Sequence, residues 1–301
     1  MGVLVTVWDL VQLWCLLVYN YILGIISFFV PPKRKSIAGD IALVTGAGHG
    51  IGKELALELS KLGAILVVWD VHKENNAKTA QEIKAAGGKA YAYVCDITNS
   101  TSIAEVAKKV RQDVGEVTLL VNNAGILNGG PFMELTEPDI RRTFEVNTLS
   151  HFWMMKEFLP AMIKQNRGHI LNVISMAAYT GAVMMSDYCA SKHAALGLFK
   201  TVRMELNQAG HRNIHMTALC PMFVDTGLVK KFTLKHGRVL TPNEVALAGL
   251  DGMLRNYELV SVPSWIVYVT KYLDGILPRK AAEALRSRSG IKVYSQYNKQ
   301  D

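Results

Sequence analysis

Short apolar runs alternate with longer amphipathic stretches from Asp40 onward. Each run is rich in Val, Ile, Leu or aromatic residues and stops at glycine, aspartate, serine or proline, as buried strands do. The runs are IALVT (41–45), ILVVWD (65–70), AYAYVCD (90–96), VTLLVNNAG (117–125), HILNVIS (169–175), IHMTALCP (214–221) and a last strand at 257–262. Because strands that alternate with helices form a parallel sheet covered on both faces, the pattern predicts one α/β domain over residues 36–262.

Two helical regions are defined by local signals. Helical periodicity continues over residues 137–165, which predicts a long helical region there. Residues 241–244 read Thr-Pro-Asn-Glu, which is a capping box with proline at the first helical position. A helix is therefore expected to begin at Pro242.

The first thirty-five residues differ from the rest of the chain. Residues 11–30 contain no charge and, as a helix, would span about 30 Å, the thickness of a bilayer's hydrocarbon core. PPKRK follows at 31–35, and by the positive-inside rule this basic flank keeps everything after it in the cytosol. Asn20 and Gly24 leave open a helix that lies in a lipid monolayer without crossing it. Residues 1–35 are thus predicted to be a hydrophobic anchor.

The C-terminal residues 263–301 are predicted to form an amphipathic helix and a basic tail. Residues 263–290 mix large apolar side chains with a basic end, which suits a helix lying at a lipid interface. Packing of the same helix against the edge of the sheet is an equal alternative.

Charge and cysteine content narrow the class of protein. The 301-residue chain carries a net charge of +8, but no block of like charge is longer than three residues. This argues against a nucleic-acid partner and fits a surface that meets anionic lipid. The four cysteines have no CxxC spacing, so we expect reduced packing residues in a cytosol-facing protein, and no metal site: Cys15, Cys95, Cys189 and Cys220.

The stretch TGAGHGIG (45–52) follows the first strand and opens the first helix. Glycines at such a junction let the backbone turn tightly and approach a pyrophosphate at the helix N-terminus, although an ordinary glycine turn has the same composition. The candidate cofactor residues in this loop are Gly46, His49, Gly50, Ile51 and Gly52. In this position the loop predicts a Rossmann-like, doubly wound sheet.

Asp70 ends the second strand, eighteen residues after Gly52. A carboxylate there accepts hydrogen bonds from the ribose hydroxyls of NAD and repels the 2′-phosphate of NADP. An aspartate that caps the next helix is the alternative, and His49 and Lys73 soften the preference. NAD is therefore the expected cofactor, with NADP second.

Tyr188 and Lys192 are one helical turn apart, so their side chains share a helix face. A free tyrosine has a pKa near 10, and lowering it toward 7 requires about 4 kcal/mol of preferential stabilisation of the phenolate. An ammonium group one turn away supplies positive potential for this. The pair is either a solvated surface pair or a proton-transfer device in which Tyr188 is the base and the Ser175 hydroxyl steadies the substrate oxygen.

Several motifs occur together in a fixed order: TGAGHGIG, NNAG (122–125), Asn147 in FEVN, Ser175, and Tyr188 with Lys192. On these motifs, residues 37–262 are identified as a member of the short-chain dehydrogenase/reductase family. The resemblance implies a NAD(P)-dependent oxidoreductase in which Asn147 kinks its helix and positions a water that links the lysine to solvent.

The resemblance also implies further cofactor contacts. Asn123 would stabilise the central strand, while Ala124 and Gly125 line the cofactor cleft. Asp96 would contact the adenine, and Lys192 would hold the ribose. Val224 and Thr226, both in FVDTG, would bind the cofactor, with Thr226 at the nicotinamide carboxamide. Met222 departs from the glycine that family members often have after the preceding proline, which adds bulk near the nicotinamide.

The apolar N-terminus, FEVNTLSHFWM (144–154) and CPMFVDTG (220–227) resemble the lipid-droplet 17-beta-hydroxysteroid dehydrogenases and the related membrane-bound retinol dehydrogenases. This implies oxidation of a hydrophobic alcohol, such as a steroid 17-beta-hydroxyl, retinol or a lipid-derived alcohol. It implies a homodimer at the lipid droplet or endoplasmic reticulum membrane. An NADPH-linked ketone or acyl reductase and a lipid-coat protein with vestigial activity are the alternatives.

Residues 227–240 are implied to form the substrate lid. Lys230, Lys231, Lys235 and Arg238 alternate there with apolar residues. The pattern leaves open a lid that faces a membrane or an ordinary solvated helix.

Overall fold

The computed structural model describes residues 7–229, 232–234, 238–288 and 291–294. The chain divides into two compact units, Met1–Lys35 and Ser36–Asp301. In the first unit, helix α1 (Val7–Phe29) contains an apolar stretch, Trp8–Ile26. Within the described residues this is the one helix long and apolar enough to cross a membrane. The Asn20 side chain donates to the Leu16 carbonyl oxygen at 2.7 Å, which satisfies its amide group within the helix.

The second unit is built on a seven-stranded parallel sheet in the order β3-β2-β1-β4-β5-β6-β8, counted over the described residues. Its strands are β1 (Ile41–Thr45), β2 (Ile65–Asp70), β3 (Lys89–Val94), β4 (Leu119–Asn122), β5 (Gly168–Val173), β6 (Ile214–Pro221) and β8 (Leu259–Val262), while β7 (Phe232–Leu234) and β9 (Ile291–Val293) form a separate antiparallel pair. The predicted doubly wound sheet is confirmed. Because the strand order reverses between β1 and β4, a crevice opens beyond their carboxyl ends.

Helices cover both faces of the sheet. They are α2 (Gly50–Lys61), α3 (Lys73–Ala85), α4 (Ser100–Asp113), α5 (Glu137–Phe144), α6 (Ser150–Gln165), α7 (Ser186–Gln208), α8 (Pro242–Leu254), α9 (Ile266–Ile276) and α10 (Arg279–Arg288). Alternate strand residues face opposite layers: Leu43 packs in the core with α4, α6 and α7, whereas Val44 packs with α2, α3 and α8. This is why the strands are apolar in nearly every position.

The capping box at 241–244 is confirmed. The Glu244 backbone N–H donates to Thr241 Oγ1 at 3.2 Å, the Glu244 carboxylate accepts from the Thr241 N–H at 3.0 Å, and α8 begins at Pro242.

The long helical region predicted over 137–165 is divided by a π-helical turn at Glu145–Leu149. Within this turn the Asn147 side chain forms hydrogen bonds with the backbone of Ile126, in the segment after β4. Helical periodicity in the sequence does not predict the π-helical turn, because the turn is associated with contacts to residues distant in the chain.

The described part of the predicted lid contains strand β7 and no helix, so the solvated-helix alternative for that part is wrong. Lys230, Lys231 and Lys235 lie outside the described residues.

The residues after 262 bear out the packing alternative for one face of the helix, while contact with lipid stays a prediction. In α9, Val267 is buried in the core, whereas Tyr268, Val269 and Ile276 are exposed, as is Trp265 just before the helix. One face thus packs on the domain and another faces outward. The cysteines Cys95, Cys189 and Cys220 are buried free thiols, and Cys15 is exposed on α1.

Candidate active site

A cleft of about 820 Å³ lies at the carboxyl ends of the central strands. It is bordered by the glycine loop after β1 and by the ends of β2, β4, β5 and β6. All the predicted site residues except Asn147 and Gly52 line it: Gly46, His49, Gly50, Ile51, Asp70, Asp96, Asn123, Ala124, Gly125, Ser175, Tyr188, Lys192, Val224 and Thr226. The fold therefore gathers residues that are up to 180 positions apart (226 − 46).

The glycine loop leaves no room for side chains. Gly46 and Gly50 have φ of +65° and +58°, a region that favours glycine. A Cβ on Gly52 would lie 2.3 Å from the Gly46 carbonyl oxygen and 2.4 Å from Asn123 Nδ2. Gly52 therefore acts from just outside the cleft, by allowing α2 to approach the loop. A backbone this close-packed at a helix N-terminus fits a bound pyrophosphate.

Asp70 is buried at the end of β2 and accepts two backbone bonds. Gly48 N donates to its Oδ2 and His72 N donates to its Oδ1, each at 2.9 Å, and His72 Nδ1 is 3.3 Å from Oδ1. His72, whose side chain makes no capping hydrogen bond, occupies the N-cap position of α3, so Asp70 is not the N-cap residue of that helix. The carboxylate instead joins the glycine loop to the end of β2, beside the cleft.

Asp96 lies further along the same cleft, after β3. Thr98 donates to its Oδ1 from the backbone at 3.0 Å and from the hydroxyl at 2.7 Å, and Arg142 is 3.8 Å from Oδ2. Although burial acts in the opposite direction, these bonds and the Arg142 charge hold the pKa of Asp96 below its usual value. Arg142, which also lines the cleft, was not predicted, because no local motif marks it.

Asn123 joins the two central strands. Its Nδ2 donates to the carbonyl oxygens of Thr45 at 2.9 Å and Gly46 at 3.2 Å, and its backbone N–H donates to Thr45 Oγ1 at 3.0 Å. These bonds fix the end of β4 against the end of β1. The following residues, Ala124 and Gly125, consequently lie on the cleft wall.

Asn147 is fully buried within the π-helical turn. Its Nδ2 donates to the Ile126 carbonyl at 2.9 Å and to Ser191 Oγ at 3.0 Å, and its Oδ1 accepts from Ile126 N at 2.8 Å. A Cβ built on Gly125 would lie 3.3 Å from this Oδ1 and 3.5 Å from Lys192 Nζ. Asn147 thus connects the segment after β4 with the helix that carries the tyrosine and the lysine.

Tyr188 and Lys192 lie in the first two turns of α7 with only 7% and 3% of their surfaces exposed, so the solvated-pair alternative is wrong. Lys192 Nζ lies 5.7 Å from the Tyr188 ring centroid and donates to the Val173 carbonyl at 3.1 Å. Ser175, at the end of β5, accepts from the Ala177 N–H at 3.0 Å and forms a hydrogen bond with Tyr188. The three groups face one end of the cleft.

Burial controls the ionisation of this pair. It raises the pKa of Tyr188 to about 12, against the hydrogen bond from Ser175. It lowers the pKa of Lys192 to about 8. The expectation that Lys192 brings the tyrosine pKa toward 7 is therefore not met by the protein groups alone, because the buried phenolate loses more hydration than they replace.

His151 lies close to this site and was not predicted to matter. It is 2% exposed, and neither ring nitrogen has a hydrogen-bond partner among the described residues. Burial lowers its pKa to about 3, and the positive charge of Lys192 acts in the same direction. The imidazole is therefore neutral at physiological pH.

The part of the cleft beyond Tyr188 is an apolar chamber, which we call the substrate chamber. Its wall is formed by Leu127, Ala182, Met185, Phe223, Leu228 and Val293. Met222 also lines the cleft, in line with the bulk expected at that position. No sequence signal marks Val293, which lies in a three-residue strand near the C-terminus.

A doubly wound sheet with a glycine loop at the strand reversal, and a buried Tyr–Lys pair in the same cleft, defines a dinucleotide-dependent oxidoreductase. The chain matches the short chain dehydrogenase family model over residues 40–237 and belongs to that family. Estradiol 17-beta-dehydrogenase 11 from Mus musculus is 39% identical over 284 residues, which cover 94% of this chain and 95% of that protein. 17-beta-hydroxysteroid dehydrogenase 13 from Homo sapiens is 38% identical over 284 residues, 94% of each chain.

Solved structures are similar to the fold as well. A short chain dehydrogenase/reductase from Burkholderia phymatum in complex with NAD matches with a TM-score of 0.74 and 26% identity, over 84% of this chain and 96% of that one. A 7 alpha-hydroxysteroid dehydrogenase complexed with NADH and 7-oxo glycochenodeoxycholic acid matches with a TM-score of 0.68 and 32% identity. The match covers 75% of this chain and 93% of that one. The protein is thus an oxidoreductase that uses a nicotinamide cofactor.

Proposed function

We propose that this protein oxidises a hydrophobic alcohol with NAD at a lipid surface, with Tyr188 as the general base. The observation that carries the proposal is the burial of Tyr188 and Lys192 side by side in the cleft bordered by the glycine loop. The apolar wall of the substrate chamber supports an apolar substrate. The relatives named for estradiol and hydroxysteroid substrates support a steroid-like alcohol, with retinol and lipid-derived alcohols as close chemical alternatives.

The chemistry follows from the groups in the site. A bound oxidised nicotinamide would supply the hydride acceptor and a further positive charge. Tyr188, as a phenolate, takes the proton of the substrate hydroxyl. Because burial raises the pKa of Tyr188, the phenolate forms at neutral pH only where positive potential stabilises it. Ser175 contacts the substrate oxygen and steadies the charge that develops there. Of the three protons on Lys192 Nζ, one is donated to Val173, and we assign the others to the cofactor ribose and to the proton path.

The remaining cofactor assignments follow the same order along the cleft. Asp70 binds the ribose hydroxyls of NAD, and Asp96 contacts the adenine. The glycine loop residues hold the pyrophosphate, while Val224 and Thr226 hold the nicotinamide end. Thr226 Cγ2 lies 3.1 Å from the position a Cβ on Gly50 would occupy, so Thr226 lies directly beside the glycine loop.

An NADPH-linked ketone or acyl reductase is the second candidate. His72 supports it, because its ring lies 3.3 Å from Asp70 and its side chain is largely exposed, where a protonated imidazole would attract a 2′-phosphate. A comparison of the two cofactors therefore belongs in the test of function.

A screen of apolar alcohols tests the proposal. Full-length protein in detergent is offered an estrogen 17-beta-alcohol, retinol and a long-chain fatty alcohol, each with NAD and with NADP, while formation of the reduced nicotinamide is followed. We expect turnover with NAD that Tyr188→Phe abolishes. Tyr93→Phe, which loses only a surface bond to Asp113, is the matched control and should retain activity. Turnover by Tyr188→Phe at the wild-type rate would contradict the assignment of the base.

Location at a lipid surface, with the catalytic domain in the cytosol, is proposed from the apolar α1, the basic flank after it, and the exposed face of α9. A helix that spans a bilayer needs water on both sides of the membrane, and a phospholipid monolayer on a lipid droplet has water on one side only. Flotation of the full chain with monolayer-coated triolein droplets and with bilayer vesicles separates the two forms of anchor. Binding to droplets indicates a monotopic helix, whereas recovery with vesicles alone would contradict a droplet location.

We also propose that the protein is a homodimer. The exposed apolar side chains of Phe152 on α6 and Met204 on α7 support pairing through these neighbouring helices. Light scattering of the detergent-solubilised chain, with Met204→Glu as the disrupting variant, tests this.

A further inference from the structure

We propose that strand β9, near the C-terminus, is a wall of the substrate chamber and that Val293 limits the size of the alcohol that reaches Tyr188. The proposal rests on the proposed function for its substrate class. Its structural part is independent of that function, because it concerns which segment of the chain closes the cavity.

Val293 belongs to the chamber although it lies 105 residues after Tyr188 (293 − 188). Its side chain is 7% exposed and packs in one apolar cluster with Tyr188, Cys189 and Met185. It also lines the cleft that holds the catalytic groups. A substrate placed against Tyr188 in this chamber therefore contacts a residue from the end of the chain.

The backbone of β9 is held by the segment after Thr226. Strand β9 pairs antiparallel with β7, with Val293 opposite Phe232 and Ile291 opposite Leu234. The Phe232 ring stacks on Phe223 with centroids 5.1 Å apart, and Phe223 is itself part of the chamber wall. Strands β7 and β9 thus form one antiparallel pair that contacts the chamber wall through Phe223.

Side-chain direction in β9 supports this assignment. Successive residues of a strand point to opposite faces, and the neighbour Tyr294 is 48% exposed whereas Val293 is buried. A pair of three-residue strands has little stability of its own. Burial of Val293 against the chamber is therefore a main reason for β9 to occupy this place, and the same contact couples the strand to whatever fills the chamber.

A size series of alcohols tests the specificity role. Full-length wild type, Val293→Ala and Val293→Phe are assayed in detergent with alcohols of increasing bulk. For Val293→Phe we expect KM to rise about tenfold or more for the bulkiest substrates and much less for the smallest, because a larger side chain narrows the chamber. Val293→Ala should extend the series toward bulkier alcohols. Tyr294→Ala, on the opposite face, is the matched control and should leave the series unchanged.

Two results would overturn the specificity role: a uniform loss for all alcohols in Val293→Phe, or the same size dependence in Tyr294→Ala.

A crosslink tests the structural part without any activity. Phe232 and Val293 are directly opposite each other, so a chain with Phe232→Cys and Val293→Cys should form a disulfide under mild oxidation, detected by joined peptides after proteolysis. Phe232→Cys alone is the control. Failure of the double variant to crosslink would overturn the assignment of β9 as a wall of the chamber. If the double variant crosslinks but the wild-type chain oxidises no alcohol, the proposed function is overturned instead.

Discussion

The ammonium of Lys192 lies 5.7 Å from the centroid of the Tyr188 ring, and both side chains are almost completely buried. In water the field of this cation would be heavily screened, whereas inside the domain it is screened much less. Burial nevertheless raises the pKa of Tyr188 to about 12. Nearby positive charge is therefore needed to make the phenolate accessible, and among the described residues Lys192 places a cation beside the ring.

Removing that charge should shift the activity toward alkaline pH. In Lys192→Met the phenolate loses its neighbouring cation, so we expect kcat at neutral pH to fall by about 100-fold and the pH profile of kcat to rise at higher pH than in the wild type. Lys200→Met is the matched control, because Lys200 lies on the same helix with its ammonium 5.7 Å from the Tyr179 ring, but it is exposed. A pH profile that Lys192→Met leaves unmoved would contradict the electrostatic role.

Gly52→Ala should impair cofactor binding. Its new Cβ would lie 2.3 Å from the Gly46 carbonyl oxygen, so the glycine loop must move. We expect the affinity for NAD, measured by calorimetry on the full chain, to fall by about tenfold or more. Gly197→Ala is the control within α7, where a Cβ meets nothing within 4 Å. That variant should gain about 0.5–1 kcal/mol of stability and bind NAD normally, because alanine favours a helix interior. Equal NAD affinity in the two variants would contradict the role of the loop.

Asp70→Asn should change the choice of cofactor. The amide oxygen still accepts from the Gly48 N–H, whereas the amide nitrogen that replaces Oδ1 loses the bond from the His72 N–H, and the negative charge that repels a 2′-phosphate is gone. We expect the ratio of kcat/KM with NADP to kcat/KM with NAD to rise by about tenfold. Asp113→Asn, at the exposed end of α4, tests whether any loss of negative charge has this effect. An unchanged ratio in Asp70→Asn would show that the carboxylate does not select the cofactor.

The sheet and the Tyr–Lys pair were predictable because their signals are local. Strands such as β1 are continuous apolar runs that end at a turn residue, and positions four apart in a helix always share a face. The capping box of α8 is likewise a contact between residues three positions apart. Each of these features is decided by neighbours in the chain.

The π-helical turn, strand β9 and the ionisation of Tyr188 were not predictable for the opposite reason. Asn147 interrupts a continuous helical pattern by bonding to Ile126, and Val293 reaches the chamber only because β9 pairs with a strand 59 residues earlier (291 − 232). The pKa of the tyrosine depends on burial by the whole domain. Such features follow from the assembled structure, which local periodicity does not encode.

His151 provides a test of burial that is separate from catalysis. Its pKa is about 3 in the folded chain and 6.5 in the ordinary, exposed state, so between these values the unfolded chain binds more protons at this residue. Stability is therefore lost as the pH falls through this window and is fully present above it. Because pH 5 lies about 1.5 pH units below the pKa of the unfolded chain, the free energy of unfolding at pH 5 should be about 2 kcal/mol lower than at neutral pH.

His151→Phe should remove this part of the pH dependence. Phenylalanine fills a similar volume and carries no nitrogen to protonate, so the thermal midpoint of the full chain should fall less between pH 7 and pH 5 than in the wild type. Met155→Leu, at a buried position on the same helix α6 without a titratable group, is the matched control and should keep the wild-type slope. Parallel slopes in wild type and His151→Phe would mean that the imidazole finds a partner that stabilises its protonated form. Because Lys192 also lowers the pKa of His151, the effect of His151→Phe should be smaller when Lys192→Met is already present.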